Sequence, residues 1–229
     1  MNWIEDAKRR AAIEAVKHVK DNYVVGLGTG STATYAIREI GRRVRDEGLE
    51  LVGIATSSAV EATATEEGIS LTTLDTTQRV DIAIDGADQV DPALNLIKGN
   101  GAALTREKIV DNLAGVLIII VDETKLTNKL GTNMKVPVEV LPFALTPVLD
   151  RLKEIVGKPI LRLTKDERPV ITDNGNYIVD VDFGSIDDPW RLSEEIKLIP
   201  GVLDNGLFVD MADIAYVGHK EGCTKLERK

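Results

Sequence analysis

Gly26-Leu27-Gly28-Thr29-Gly30-Ser31-Thr32 closes a short apolar run and opens a helical pattern. At such a junction backbone N–H groups are exposed and the helix dipole favours an anion. Glycines allow close approach and positive φ, while Thr29, Ser31 and Thr32 add hydroxyl donors. No Gly-Lys-Ser/Thr follows, so this is not a Walker A loop. The glycines run G-x-G-x-G rather than G-x-G-x-x-G. The next strand pattern ends in Thr56-Ser57-Ser58, where a dinucleotide site would place an acid. Two hydroxyl-rich loops suit a small phosphorylated ligand better. The alternative is a tight turn with an N-cap and no ligand.

Asp85-Gly86-Ala87-Asp88 follows a second apolar run, Asp81 to Ile84. Two carboxylates three residues apart at a strand end could do acid–base work. The alternatives are helix capping or a cation site, although the spacing lacks the alternating acids of an EF-hand loop. Lys98-Gly99-Asn100-Gly101 sets a lysine beside flexible backbone, as a developing oxyanion needs. Taken alone, Lys98 reads better as an ordinary solvated lysine in a turn. Glu107 stands in the first turn of a predicted helix, where an acid commonly offsets the dipole. Asp122-Glu123-Thr124-Lys125 follows the run Val116 to Val121 and puts Lys125 at a further strand end. Lys8 lies in the first predicted helix, where most lysines are solvated.

These residues need a scaffold that gathers strand ends. Ile4, Ala7, Ala11, Ala12, Ala15, Val16 and Val19 recur at helical spacing. The runs at Tyr23 to Gly28, Leu51 to Ala55, Asp81 to Ile84 and Val116 to Val121 read as buried strands. Helical patterns at Ile37 to Val44, Val60 to Glu67 and about Ala103 to Asn112 separate them. That alternation predicts a parallel sheet covered on both faces. After Gly131 the pattern changes. Val136 to Leu141 is strand-like but carries Pro137. Val148, Leu149, Leu152, Ile155 and Val156 predict a helix closed by Gly157. Val170 to Thr172 and Tyr177 to Val181 flank Asn174-Gly175, a hairpin signal. Leu192, Ile196 and Ile199 predict a helix stopped by Pro200-Gly201. Ile214 to Gly218 is apolar and is expected to return to the first sheet. The expected fold class is α/β: a Rossmann-like parallel-sheet domain, 1–130 plus 206–229, with a smaller α+β ferredoxin-like domain, 131–205, inserted near the C-terminus.

Composition narrows the function. The chain has 229 residues, 43% of them hydrophobic, which supports a substantial core. Aromatics are 4% and the net charge is −9, both unfavourable for nucleic acid. One cysteine, Cys223, and two histidines, His18 and His219, leave little for a disulfide framework, a zinc site or a serine triad. No apolar run approaches the ~18 residues of a membrane span. The start, MNWIEDAKRR, carries acids early and lacks an apolar stretch, so it does not read as a secretory signal. A cytoplasmic location is expected.

The motifs GLGTGST at 26–32, DGAD at 85–88, KGNG at 98–101 and ALTREK at 103–108 closely resemble ribose-5-phosphate isomerase of type A. The resemblance continues through VDETK at 121–125, VPVEVLP at 136–142, VITDNGNYIVDV at 170–181 and IPGVLDNGLF at 199–208. It implies interconversion of D-ribose 5-phosphate and D-ribulose 5-phosphate, in the non-oxidative pentose phosphate pathway, with no metal and no cofactor. It implies Glu107 as general base, Asp85 and Asp88 as catalytic-site carboxylates, and Lys98 near the reacting oxygens. Substrate-binding positions by the same resemblance are Lys8, Thr29, Gly30, Ser31, Thr32, Asp85, Gly86, Ala87, Asp88, Lys98, Gly99, Asn100, Gly101 and Lys125. A homodimer or homotetramer is implied.

Two departures stand out: Asn100 where the family often has glycine, and Gln89 where it often has glutamate. Asn tolerates left-handed backbone, so the turn is expected to stay intact. Burial and the neighbouring aspartates are expected to raise the Glu107 pKa. Three rivals compete. A sugar-phosphate sensor would need a basic DNA-binding segment. An aminosugar-phosphate deaminase would lean on a histidine, and His18 and His219 stand outside the motifs. A dehydrogenase conflicts with the loop pattern.

Overall fold

The computed structural model describes residues 3–77, 79–155 and 157–228. The expected helical residue Val156 lies outside them. The chain begins with α1 (Trp3–Val16), β1 (Tyr23–Leu27), α2 (Ser31–Glu47), β2 (Leu51–Ala55), α3 (Ser58–Glu66) and β3 (Ile82–Gly86). Next come the short strands β4 (Gln89–Val90) and β5 (Leu96–Ile97), then α4 (Leu104–Leu113) and β6 (Leu117–Asp122). The second half holds β7 (Val136–Val140), α5 (Leu145–Glu154), β8 (Lys158–Leu161), β9 (Tyr177–Asp182), α6 (Pro189–Lys197) and β10 (Val202–Asn205). It closes with β11 (Leu207–Phe208), β12 (Ile214–Gly218) and β13 (Cys223–Glu227). Among the described residues no helix is long and apolar enough to cross a membrane.

The chain divides into two compact units: Met1–Ala87, Arg106–Leu126 and Met211–Lys229 form one, Asp88–Thr105 and Thr127–Asp210 the other. The first unit carries a six-stranded sheet ordered β13-β12-β6-β3-β1-β2. Its pairs are parallel except β12 with β13. β6 is buried at every residue, as its unbroken apolar run requires of a strand covered on both faces. α1, apolar at helical spacing, buries Ala7, Ala11, Ala12, Ala15 and Val16, and the last four join Val25, Leu27, Ile84 and Ile118 in one core. The small alanine side chains let the helix approach the sheet closely. A Cβ on Gly218 of β12 would lie 1.9 Å from the Ala7 carbonyl oxygen.

The second unit holds an antiparallel sheet ordered β10-β7-β9-β8. With α5 after β7 and α6 after β9 this is the split βαβ arrangement of a ferredoxin-like domain. Val136, Val138 and Val140 of β7 pack with Val148, Leu152 and Ile196. β12 returns to pair with β6, as expected of a chain whose small unit is inserted.

Two expectations need correction. The turn at Asn174-Gly175 does bring Val170–Thr172 back to β9, but by a single antiparallel bridge, Ile171 with Tyr177, and a Thr172 N–H bond to the Asn176 carbonyl; the continuous ladder partner of β9 is β8. Pro169 has no N–H for a ladder there. Thr172, Asn174 and Asn176 instead turn their side chains onto the buried Glu139 carboxylate of β7. The unit boundaries also differ. Residues 88–105, placed with the large domain from sequence, cluster with the small unit. β4 and β5 are too short to carry a hydrophobic pattern. They pair with each other and with β11 in a three-stranded sheet.

Candidate active site

In the first unit the register aligns the strand ends. Leu27 pairs with Ala55 and with Ile84, and Ile84 pairs with Ile118. The loops after β1, β2 and β3 therefore leave one edge of the sheet side by side. β2 lies on one flank of β1 and β3 on the other, so the order of strands reverses between β1 and β3. Open parallel sheets bind ligands at such a switch point. Gly28 and Asp85 meet across it. A Cβ on Gly28 would lie 2.1 Å from Asp85 Oδ1 and 2.5 Å from its Cα. Gly28→Ala should therefore displace the Asp85 carboxylate and cost at least ~1–3 kcal/mol in overpacking. Calorimetry should find a Tm several degrees lower; an unchanged Tm would refute the close-packing argument.

The turn Gly28–Thr32 is organised around its hydroxyls. The Thr29 hydroxyl, with one proton to give, lies 2.7 Å from Thr56 Oγ1 and 2.9 Å from Ser57 Oγ. Thr56 Oγ1 donates to the Leu27 carbonyl, and Ser57 caps α3 by accepting from the Val60 N–H. The two hydroxyl-rich loops thus brace one another. Gly30, at φ 120°, is the N-cap of α2 and supplies no side-chain acceptor. The first N–H groups of α2 are left for another acceptor. Lys8 approaches the same turn: its Nζ donates to Ser31 Oγ at 3.1 Å and pairs with Glu5 at 2.8 Å. Its side chain is only 13% exposed, so it is not the solvated lysine that helix position alone predicts. Lys125 is half-buried in a single 3-10 turn, Glu123–Lys125, just past the end of β6.

Asp85, one residue before the end of β3, is fully buried at 0% exposure, with Oδ1 accepting from the Gly86 N–H at 2.6 Å. Glu107 is 3% exposed in the first turn of α4. A carboxylate that merely offsets a helix dipole has no reason to leave water, because burying its charge is costly. Asp111, one turn further along α4, is also buried. The i, i+4 spacing of Glu107 and Asp111 was the signal in the sequence that could have found it.

In the second unit β5 runs directly into Lys98. The lysine is 2% exposed, and its Nζ lies 5.2 Å from the centre of the Phe208 ring on β11. A buried lysine against an aromatic face is a placed charge. Its backbone N–H is tied to the Gly206 carbonyl. Asp88 accepts from both the backbone and the side-chain amide of Asn100, each at 3.0 Å. The left-handed residues of this turn are Gly99, at φ 110°, and Ala102, at φ 58°, rather than Asn100. Asn100 instead lends its side chain to Asp88. Gln89, the other departure, is a clamp: Nε2 donates to the Thr132 carbonyl and Oε1 accepts from the Gly131 N–H.

The remaining reactive groups are engaged elsewhere. His18 Nε2 bonds the Tyr216 hydroxyl, and His219 spans Glu123 and Thr224. Burial pushes the Cys223 thiol up to about 11, so it is protonated at neutral pH. Among the described residues no group of three or more His, Cys, Asp or Glu is placed to hold a metal ion.

The family model for ribose 5-phosphate isomerase A (phosphoriboisomerase A) matches residues 52–222. The ribose-5-phosphate isomerase A of Pyrococcus abyssi is 48% identical over 227 residues, 98% of this chain and 99% of its own. The chain belongs to the ribose-5-phosphate isomerase A family. Its fold agrees with solved members. A D-ribose-5-phosphate isomerase in complex with phospho-erythronic acid superposes with a TM-score of 0.96, at 47% identity over 100% of both chains. The Methanocaldococcus jannaschii member gives 0.94, at 49% identity, over 97% of this chain and 99% of that one. The family match spans Asp85, Asp88, Lys98, Gly99, Asn100, Gly101, Glu107 and Lys125. Lys8 and the Gly26–Thr32 turn precede it and fall within the reach of the full-length relatives.

Proposed function

We propose that this isomerase interconverts D-ribose 5-phosphate and D-ribulose 5-phosphate through an enediolate. The observation that carries the reading is the buried Glu107 carboxylate in a chain of this family. Glu107 takes the proton from C2 of the open-chain aldose and returns it to C1 while the O2 hydroxyl proton passes to O1, leaving the ketose. Asp85 moves a hydroxyl proton as the furanose ring opens. Lys98 and the N–H groups of Gly99 and Gly101 stabilise the enediolate oxygens. Asp88 holds that turn through Asn100, and Gly86 and Ala87 line the approach. Thr29, Gly30, Ser31, Thr32, Lys8 and Lys125 take the phosphate. The whole-protein field of a −9 chain repels a dianion, and these lysines reverse it locally. The ligand of one solved relative, phospho-erythronic acid, supports the reading, since its planar carboxylate resembles an enediolate and its phosphate the far end of the sugar.

The reading places the enzyme in the cytoplasm as a homodimer or homotetramer. Phe143 and Leu198, large apolar side chains exposed on the second unit, support an oligomer of either size. A coupled assay on ribose 5-phosphate tests the function, run before and after dialysis against EDTA. Ribulose 5-phosphate should form at the same rate in both. No conversion would overturn the isomerase reading, and a loss restored by one divalent ion would overturn its metal-free form.

A further inference from the structure

We infer that Arg162 and Asp180 are positioning residues that aim the peptide N–H groups of the Lys98–Gly101 turn. The inference rests on the proposed role of that turn toward the enediolate. Arg162 follows β8, and its backbone is pinned on both sides. Its N–H donates to the Ile178 carbonyl, and its own carbonyl accepts from the Val170 N–H. The guanidinium is fixed by Asp180 of β9: Nε donates to Oδ2 at 2.8 Å and Nη2 to Oδ1. That leaves Nη1, which donates to two successive carbonyls, Gly99 at 2.9 Å and Asn100 at 3.0 Å.

A trans peptide points its C=O and its N–H in opposite directions. Drawing the Gly99 carbonyl toward Arg162 turns the Asn100 N–H away from it, and that N–H lands on Asp88 Oδ2. Drawing the Asn100 carbonyl the same way orients the Gly101 N–H by the same rule. Arg162 thus sets two consecutive peptide planes, from one side, in a turn whose Gly99 at φ 110° could adopt others. The pair is mostly covered, with side-chain exposures of 15% and 22%, so solvent competes little for these bonds. A surface ion pair has no need of two backbone carbonyls 63 and 62 residues away in sequence.

Lysine keeps the charge but cannot hold a carboxylate by two bonds and two carbonyls at once. Arg162→Lys should therefore lower kcat by about 10²-fold, the scale of a lost or misaimed oxyanion donor, with KM changing less than about threefold. Affinity for phospho-erythronic acid should fall by a factor similar to that of kcat, while inorganic phosphate binds as in the wild type. Asp180→Asn, which preserves shape, should give the same pattern at smaller amplitude and serves if the arginine variant folds poorly. A purely structural role would lower both affinities together or neither. Unchanged kcat and analogue affinity, or a parallel loss for phosphate and phospho-erythronic acid, would overturn the inference while an active wild type leaves the isomerase reading standing. An inactive wild type would instead overturn that reading.

Discussion

Glu107→Gln should lower kcat by at least ~10², the usual contribution of a positioned acid or base, and leave KM within about threefold. Glutamine keeps the length and planarity of glutamate but cannot accept the C2 proton. Glu107 is buried at 3% exposure in the first turn of α4, so bulk water is poorly placed to substitute for it. The amide occupies the same volume, so the fold should persist and the melting temperature should change by only a few degrees. Steady-state kinetics and exchange of the C1 and C2 protons with deuterated water read the same step independently. Near-wild-type turnover with wild-type exchange would remove Glu107 from the role of base and turn attention to Asp85, a fully buried carboxylate of the same unit.

The second large effect concerns the phosphate. Ribose should be a worse substrate than ribose 5-phosphate by at least ~10³ in kcat/KM, because several charge-assisted bonds of ~1.5–3 kcal/mol each orient the reacting end. Part of the loss should fall on kcat. Lys125→Ala should lower kcat/KM for ribose 5-phosphate by roughly 10–100-fold and leave that for ribose almost unchanged. Lys125 is only half-buried, so salt should screen it and KM should rise with ionic strength. Lys8 gives a useful contrast. It is already tied to Ser31 and Glu5, so its loss should also loosen the turn itself. An equal fall for both sugars in Lys125→Ala would reassign that lysine to the fold or to the chemistry.

Local pattern is read well from a sequence because strands and helices bury their own periodic faces. The apolar runs that became β1, β2, β3 and β6, and the glycine-rich and acidic turns at their ends, were legible for that reason. So was the ferredoxin-like order of the second half, apart from β8. There Lys158–Leu161 alternates exposed and half-buried residues with Pro159 among them, which is the signature of an edge strand and a weak one. The short strands β4, β5 and β11 could not be read, because two residues define no period. Their pairing nevertheless decides that residues 88–105 belong with the second unit.

The chemistry divides in the same way. Spacing by itself determined which residue types stand at the strand ends; that they serve one reaction was implied only by the resemblance to the family. Spacing left Lys8, Lys98 and Glu107 each open to a solvated reading, because burial is a property of what packs on a residue and not of its neighbours in the chain. Only the tertiary structure decided those cases, by covering Lys98 with Phe208 and setting Lys8 against Ser31. It alone supplied Arg162, whose two carbonyl partners lie more than sixty residues earlier. No periodicity links such positions; they meet because β8 pairs with β9 and Asp180 fixes the guanidinium's direction.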